Sequence, residues 1–443
     1  MAKRIYLCLA HMSEAGLEQK YIKEAFDTNW VVPLGPNVNG FEKDLEDFVN
    51  GVSSSKFQVS SDLNPETGDS PMKPETLQKR VVALSAGTAA VHLGLLAAGV
   101  GPGDEVLVQS FTFCASTHPI TYLGATPVMI DSEPDTWNID PDLLEEAIKD
   151  RIAKTGKTPK AIVPVALYGM PYKADRIMEI ANKYGIPVVE DAAEGFGSKF
   201  NGQVLGTFGK YGVLSFNGNK MITTSGGGAL ITEDEDHWRE IMMYATQYRE
   251  SYPYYQHEKI GYNYRMSNIC AGIGRGQMTV VNDHLAHHKH VQKMYEELLA
   301  DVPGIHVHSQ PATGEYDSNY WLCTITIDEN VKIKGQENAY KTIVKGVVGG
   351  AAGVIHIAES AHTDCEPNAN VEALRVFMDQ AQIEARPVWK PMHKQPVYKN
   401  VPAYVNGVSE AIFKVGMCLP AGPYVSDEDV RYIVETIKSA IVG

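Results

Sequence analysis

The chain has 443 residues, 44% of them apolar and 21% charged, the make-up of an ordinary globular protein with length for one large domain and a smaller one. Its formal net charge of −15 argues against a nucleic-acid partner, because that affinity comes from clustered Lys and Arg neutralising phosphates. The six cysteines (Cys8, Cys114, Cys270, Cys323, Cys365 and Cys418) stand far apart with no CxxC pair, so neither a zinc knuckle nor a disulfide framework is expected.

In chain order, MAKRIYLCLAHMSEAG has a short apolar patch without the core and cleavage site of a signal peptide, and no apolar run in the sequence is long enough to span a bilayer. A cytoplasmic protein is the expectation, with small-molecule chemistry and no membrane contact. Residues 50–80 are polar and rich in Pro and Ser, and read as a loop or partly disordered insertion.

From residue 81 to about 231, short apolar runs alternate with amphipathic stretches. VVAL (81–84) precedes the helical GTAAVHLGLLAAG; EVLVQ (105–109) precedes CASTHPITYLG; TPVMID (126–131) precedes PDLLEEAIKD; KAIVPVAL (160–167) precedes KADRIMEIANKYG; and IPVVED (186–191) follows. Such alternation predicts an α/β fold with a largely parallel sheet covered on both faces.

In these sheets ligands bind beyond the carboxyl ends of the strands. Four predicted ends carry distinctive groups: Ser85-Ala86-Gly87-Thr88, Ser110-Phe111-Thr112-Phe113, Asp191-Ala192-Ala193-Glu194 and Ser215-Phe216-Asn217. Beyond about residue 290 the pattern changes. WLCTITI (321–327), ENAYKTIVKGVVG, VEALRVFMDQAQ and EARPVW suggest a smaller α+β domain, closed by a helix that Ser426 and Asp429 would cap.

Several of these residues have a bland reading beside a chemical one. The segment 85–88 lies at a helix start, where unpaired N–H groups and the helix dipole favour a phosphate, although Ser and Thr are also ordinary caps. Asp191 ends a buried strand, so its carboxylate needs a cation or several donors; a protonated heteroaromatic nitrogen or a helix start would serve. Phe111 and Phe113 would stack on a flat ligand or fill the core. DHLAHHKH (283–290) puts His284, His287 and His288 on one helical face, but no carboxylate or cysteine completes a metal site, so a solvated face and no metal are expected. Lys220 sits in FNGNKMITTSGGG, where a desolvated lysine would become a nucleophile for carbonyl groups.

Phosphate cradle, ring, carboxylate and lysine in that order resemble the fold-type I pyridoxal-phosphate enzymes, and in detail the sugar-nucleotide aminotransferases of the DegT/DnrJ/EryC1/StrS family. NWVVPLGPNVNGFE, SAGTAAVHLGLLAAGVGPGDEV, SFTFCAS, YLGATPV, VEDAAEGFGS, LSFNGNKMITTSGGGAL, GYNYRMSN and RPVWKPMH carry the resemblance over most of the chain. It implies a large cofactor-binding domain over residues 1–290, with a mostly parallel sheet of the seven-stranded type flanked by helices, and a smaller α+β domain over 291–443.

The resemblance also implies pyridoxal 5'-phosphate held covalently on Lys220, with pyridoxamine phosphate as an intermediate form. Asp191 would pair with the pyridine nitrogen, and Phe113 would stack on the ring. Ala86, Gly87, Thr88 and Ser215 would hold the phosphate, joined by Asn263 from the neighbouring subunit of a homodimer. Glu194 stands where many relatives carry glutamine near the ring hydroxyl. L-glutamate would give its amino group to a keto sugar nucleotide, with carbon 4 of a UDP-linked 2-acetamido-2,6-dideoxy-4-keto sugar favoured over carbon 3. Arg249, His257, Trp389 and His393 fall in segments that would line the sugar cleft. Residues 50–80 and about 330–370 look longer than usual for the family.

Overall fold

The computed structural model describes residues 4–51, 78–340 and 365–442. Most of the polar stretch 50–80, and most of ENAYKTIVKGVVG, lie outside the described residues.

The main sheet contains β1 (Arg80–Leu84), β2 (Glu105–Gln109), β3 (Thr126–Ile130), β4 (Ala161–Val163), β5 (Val189–Asp191), β8 (Tyr211–Ser215), β9 (Gly228–Thr232) and β14 (Ala403–Tyr404). Two halves, β1-β9-β8-β5 and β14-β3-β2-β4, meet through parallel bridges from Ile162 to Val188 and from Val165 to Asp191. Neighbours run parallel except around β9, which is antiparallel to both β1 and β8. Seven strands come from residues 80–232, and the two-residue β14 adds an eighth at the far edge.

The apolar runs form strands because both faces are covered. Val82, Leu84, Val106 and Val108 pack on one side with Val91 and Leu93 of the helix Gly87–Ala97. Val81, Ala83, Leu107 and Val128 pack on the other with Phe41, Leu144 and Ile177 from the helices Pro36–Val49, Pro141–Thr155 and Ala174–Tyr184. β4 is shorter than KAIVPVAL suggests because Pro164 has no N–H for the ladder. CASTHPITYLG forms a short 3₁₀ turn, Cys114–Ser116, and a five-residue helix, His118–Tyr122. β9 begins in a glycine run, and its partners on both sides make it a strand.

A second, antiparallel sheet joins β10 (Ile305–Val307), β12 (Cys323–Ile327), β15 (Gly416–Leu419) and β13 (Arg386–Pro387), while β6 (Lys199–Phe200), β7 (Gln203–Val204) and β11 (Tyr316–Asp317) form a small ribbon. The second core gathers Val291, Tyr295, Ile325, Leu374, Met417, Ile433 and Ile437, with Ile5 from the amino terminus. The helix Val281–Leu299 runs unbroken through residue 290, so the change of core falls inside a helix. The last helix, Asp427–Ala440, carries the capping box: Ser426 Oγ accepts the Asp429 N–H at 3.1 Å, and Asp429 Oδ2 accepts the Ser426 N–H at 3.0 Å. No helix among the described residues is long and apolar enough to cross a membrane.

The histidine run departs from the expected solvated face. His284 is 5% exposed and His288 is wholly buried, because the helix lies between the two cores. The rings meet backbone carbonyls instead: His284 Nδ1 reaches Met221 O at 3.0 Å, His287 Nε2 reaches Gly422 O at 3.2 Å, and His288 Nδ1 reaches Tyr320 O at 3.0 Å. Since a carbonyl only accepts, Nδ1 of His288 carries the proton, and its buried Nε2 has no partner among the described residues.

Burial pushes the His288 imidazole from the ordinary 6.5 down to about 3. A depressed folded-state value contributes stability that is complete above the unfolded value and is lost as pH falls below it. Lowering the pH from about 7 to about 5 is therefore expected to remove roughly 2 kcal/mol through this residue. Urea unfolding at both pH values should show a smaller difference in His288→Gln than in the wild type, and an equal difference would refute the assignment.

Candidate active site

Because β1, β2, β5 and β8 are mutually parallel, their carboxyl ends share one edge of the sheet. The cleft there is lined by residues 85–88, by Thr112, Phe113 and Ser116, by Asp191, Ala193 and Glu194, and by Ser215 and Lys220, with Trp321 and Trp389 also on its walls. All four predicted strand ends contribute. Phe111 does not: it is fully buried in the core, 6.4 Å from Trp137 between ring centres.

The helix Gly87–Ala97 starts in this cleft with no side-chain cap, so its first N–H groups point outward at the positive end of the dipole. Ser215, at the end of β8, stands beside them. A Cβ at Gly87 would come within 2.9 Å of Ser215 Cβ, and one at Gly228 within 2.5 Å of the Ala86 carbonyl carbon. These two glycines let strand end and helix start approach closely enough to form a cradle for an anion.

Asp191 is 3% exposed. Its Oδ2 accepts a 2.6 Å hydrogen bond from Ser116 Oγ, and its Oδ1 accepts the Ala193 N–H at 3.1 Å. Burial raises its pKa above the ordinary carboxylate value, and Ser116, Ala193 and the charge of Lys220 pull it back. Such a carboxylate is held ready for a cationic partner.

Lys220 stands across the cleft in the turn after β8, its side chain 13% exposed. Its Nζ is 3.5 Å from Glu194 Oε1 and 4.0 Å from the centre of the Trp321 ring. The indole fixes the turn as well, since Trp321 Nε1–H donates to Asn219 O at 2.6 Å. Glu194 is 4% exposed, and burial raises its pKa, opposed first by Lys220 and then by the Tyr168 N–H, which donates to its Oε2 at 2.7 Å. That N–H is aimed by a left-handed backbone, with Tyr168 at φ 55°. Tyr168 Oη in turn accepts the Trp389 N–H at 2.7 Å, so Glu194 is tied to the aromatic wall.

Phe113 is 49% exposed on the cleft, its ring 5.3 Å from that of Trp389. The other substrate candidates lie elsewhere. His393 sits behind the lining, with Nδ1 2.7 Å from Ser110 Oγ. Arg249 and His257 face each other as a bridged pair in the excursion after the helix Glu235–Ala245, with Arg249 5.0 Å over the Tyr255 ring and His257 Nδ1 2.9 Å from Gln247 O. Asn263 closes that excursion, bridged to Thr246 and exposed. None of these four is among the residues lining this chain's own cleft.

Sequence reasoning missed Ser116, Tyr168 and Trp321. Ser116 lies 75 residues from Asp191, and Trp321 lies 102 from the Asn219 carbonyl it holds. No local pattern links such pairs. The positive φ of Tyr168 has no signature either, because tyrosine rarely adopts it.

The donor set fits a flat, phosphorylated, nitrogen-containing ring bearing a carbonyl: open helix N–H groups for the phosphate, a buried carboxylate for a protonated ring nitrogen, an aromatic side chain for the ring face, and an amine for the carbonyl carbon. The DegT/DnrJ/EryC1/StrS aminotransferase family model matches residues 76–349 and 352–438. The chain is similar to EpsN of Bacillus subtilis (strain 168), named as an inferred pyridoxal phosphate-dependent aminotransferase, with 38% identity over 99% of this chain and 96% of EpsN. It is 31% identical to the GDP-perosamine synthase of Escherichia coli O157:H7 over 98% of each. A solved DegT DnrJ EryC1 StrS aminotransferase from Brucella abortus superposes with a TM-score of 0.75 at 25% identity, covering 96% of this chain and 95% of that one.

Proposed function

The chain belongs to the DegT/DnrJ/EryC1/StrS aminotransferase family, and from that premise we propose that it transfers an amino group from L-glutamate to carbon 4 of a UDP-linked 2-acetamido-2,6-dideoxy-4-keto sugar. It would do so with pyridoxal 5'-phosphate, in the cytoplasm, as a step in polysaccharide or glycan biosynthesis. The observation that carries this reading is the meeting of Lys220, Asp191 and an uncapped helix start in one cleft.

Each residue has a task that its position supports. The N–H groups at 86–88 and the hydroxyls of Thr88 and Ser215 bind the phosphate. Asp191 holds the proton on the ring nitrogen by its negative charge, and Phe113 lies against the ring. When bound, the cofactor supplies an electron sink for the pair of electrons left as a proton departs from the donor's carbon. Lys220 would hold the cofactor covalently at rest, and its free amine would take up that proton and hand it back as the amino group moves. Glu194 and Trp321 keep the Lys220 nitrogen over the cleft, and Trp389 excludes water beside Phe113.

The excursion bearing Arg249, His257 and Asn263 lies outside the lining of this chain's cleft and carries exposed Tyr252, Tyr254, Tyr255 and Ile260. That supports a homodimer in which Asn263 reaches the neighbouring subunit's phosphate and Arg249 and His257 face its sugar. His393 would act from behind the lining through Ser110.

The test is incubation with glutamate and a panel of UDP-, dTDP- and GDP-linked 3-keto and 4-keto sugars, with the product located by mass spectrometry and NMR. An amine at carbon 4 of the UDP sugar is expected. An amine at carbon 3, or transfer only to another nucleotide, would replace the substrate assignment. Cofactor binding without any half-reaction would point to a regulator, and a colourless protein that takes up no cofactor would overturn the reading.

A further inference from the structure

Asp191 ends a chain of hydroxyl groups. Ser116 Oγ donates to Asp191 Oδ2 at 2.6 Å and lies 2.8 Å from Thr112 Oγ1. Ser116 has a single hydroxyl proton and gives it to Asp191, so the contact with Thr112 is made by the proton of Thr112. The order is therefore one-way: Thr112 to Ser116 to Asp191, each donor polarising the next. Both hydroxyls are buried, Thr112 at 2% and Ser116 at 1%, so bulk water does not readily take their place.

The same short loop performs two tasks. Residues 112–116 follow β2 through the 3₁₀ turn Cys114–Ser116, which presents the Phe113 ring to the cleft and turns Ser116 across β4 toward the end of β5. Two charged side chains bear on Asp191: Lys220, which favours its anion, and Glu194, through mutual repulsion. These two pair with each other at 3.5 Å, so their effects on Asp191 oppose. β8 beside Asp191 contributes Val213, and the β4 side contributes Val165; both are apolar. The polar groups left to decide the charge and rotamer of Asp191 are the Ala193 N–H and the hydroxyl chain.

We infer that Thr112 and Ser116 are positioning residues that keep Asp191 an oriented anion for a protonated ring nitrogen, an inference that rests on the cofactor reading above. Without Ser116 the carboxyl keeps one donor, sits in the same apolar surroundings and is free to turn about its χ angles. Its neutral form gains, and a neutral carboxyl does not hold a proton on the ring nitrogen by charge.

The test uses cofactor-free protein and pyridoxamine 5'-phosphate, with affinity read from quenching of tryptophan emission between about pH 5 and about pH 9. Trp321 and Trp389 lie on the walls of the cleft and serve as reporters. In the wild type, affinity should fall toward low pH as Asp191 takes up a proton, and Asp191→Asn should abolish that component. Ser116→Ala should move its midpoint upward by about one pH unit. Thr112→Val should move it in the same direction by less, and Ser116→Thr should restore it. The ligand's own titrations are common to every variant, and lost packing alone would lower affinity at all pH values without moving the midpoint. An unmoved midpoint in Ser116→Ala would overturn this inference while leaving the cofactor reading intact. No binding by the wild type would overturn both.

Discussion

Lys220→Ala is expected to lower amino transfer from glutamate by about 10⁴-fold, the upper end of what one positioned acid–base group supplies, and to remove the visible absorption of the cofactor-loaded protein. The loss should be chemical, because the side chain holds little of the fold: its ammonium faces the cleft, 13% exposed, against one carboxylate and one indole face. Trp321 keeps its hydrogen bond to the Asn219 carbonyl in the variant, so the turn itself survives. Glu194 loses its cation but already has its pKa raised by burial, so it can be neutralised by taking up a proton. Circular dichroism and the unfolding midpoint should stay close to wild type. Lys220→Arg is the sharper control, since it keeps the positive charge over Trp321 and offers no amine that gives up its proton at working pH. If either variant forms 2-oxoglutarate at more than about one-hundredth of the wild-type rate, Lys220 is not the acid–base group.

Asp191→Asn is expected to reduce turnover by about 100- to 1,000-fold, the usual cost of removing one preorganised electrostatic contact. The cofactor-free protein should nevertheless be at least as stable as wild type. Burial raises the folded-state pKa of Asp191 above its ordinary value. A raised carboxyl contributes stability that is complete below the unfolded pKa and is lost as pH rises through the folded one. Above the folded-state pKa the anion is thus a liability in the cofactor-free protein, and an amide of the same shape removes it, its oxygen accepting the Ala193 N–H and its NH2 donating to Ser116 Oγ. Function and stability pull in opposite directions at this residue, as they do where a site is kept ready for an absent partner. Thermal unfolding of cofactor-free protein, set beside 2-oxoglutarate formation by the loaded enzyme, checks both halves. A variant that is less stable and fully active would contradict the assignment.

The parts of the site that could be read from the chain are those whose cause is local. VVAL, EVLVQ and IPVVED are apolar because both faces of their strands are covered, and that pattern is written into each run. GTAAVHLGLLAAG follows its strand closely enough that its first N–H groups must emerge at the strand's end. Asp191 could be singled out because it ends such a strand, and Lys220 because it lies in the glycine-flanked turn after another. The family resemblance then assigned their tasks, which is a different warrant from geometry. By contrast, DHLAHHKH has a helical period but no local mark of what covers it, and the helix it forms lies between two cores.

Ser116, Tyr168 and Trp321 show what local pattern lacks. A hydroxyl 75 residues from the carboxylate it serves is one serine among many until two parallel strands bring their ends together. Trp321 becomes the wall behind Lys220 because the segment entering β12 is held against the turn after β8 by its bond to Asn219. Arg249, His257 and Asn263 do not line this chain's own cleft, and nothing local in their segment marks that.

The sequence by itself determined which segments become strands and helices, and the order in which cradle, ring, carboxylate and lysine follow along the chain, because hydrophobic period and turn chemistry act over a few residues. Only the tertiary structure decided that Thr112, Ser116 and Asp191 form one hydrogen-bonded chain, that Glu194 faces Lys220, and that Trp321 lies beneath that amine. Those relations depend on the register and direction of strands far apart in sequence, and they are set by burying both faces of one sheet at once.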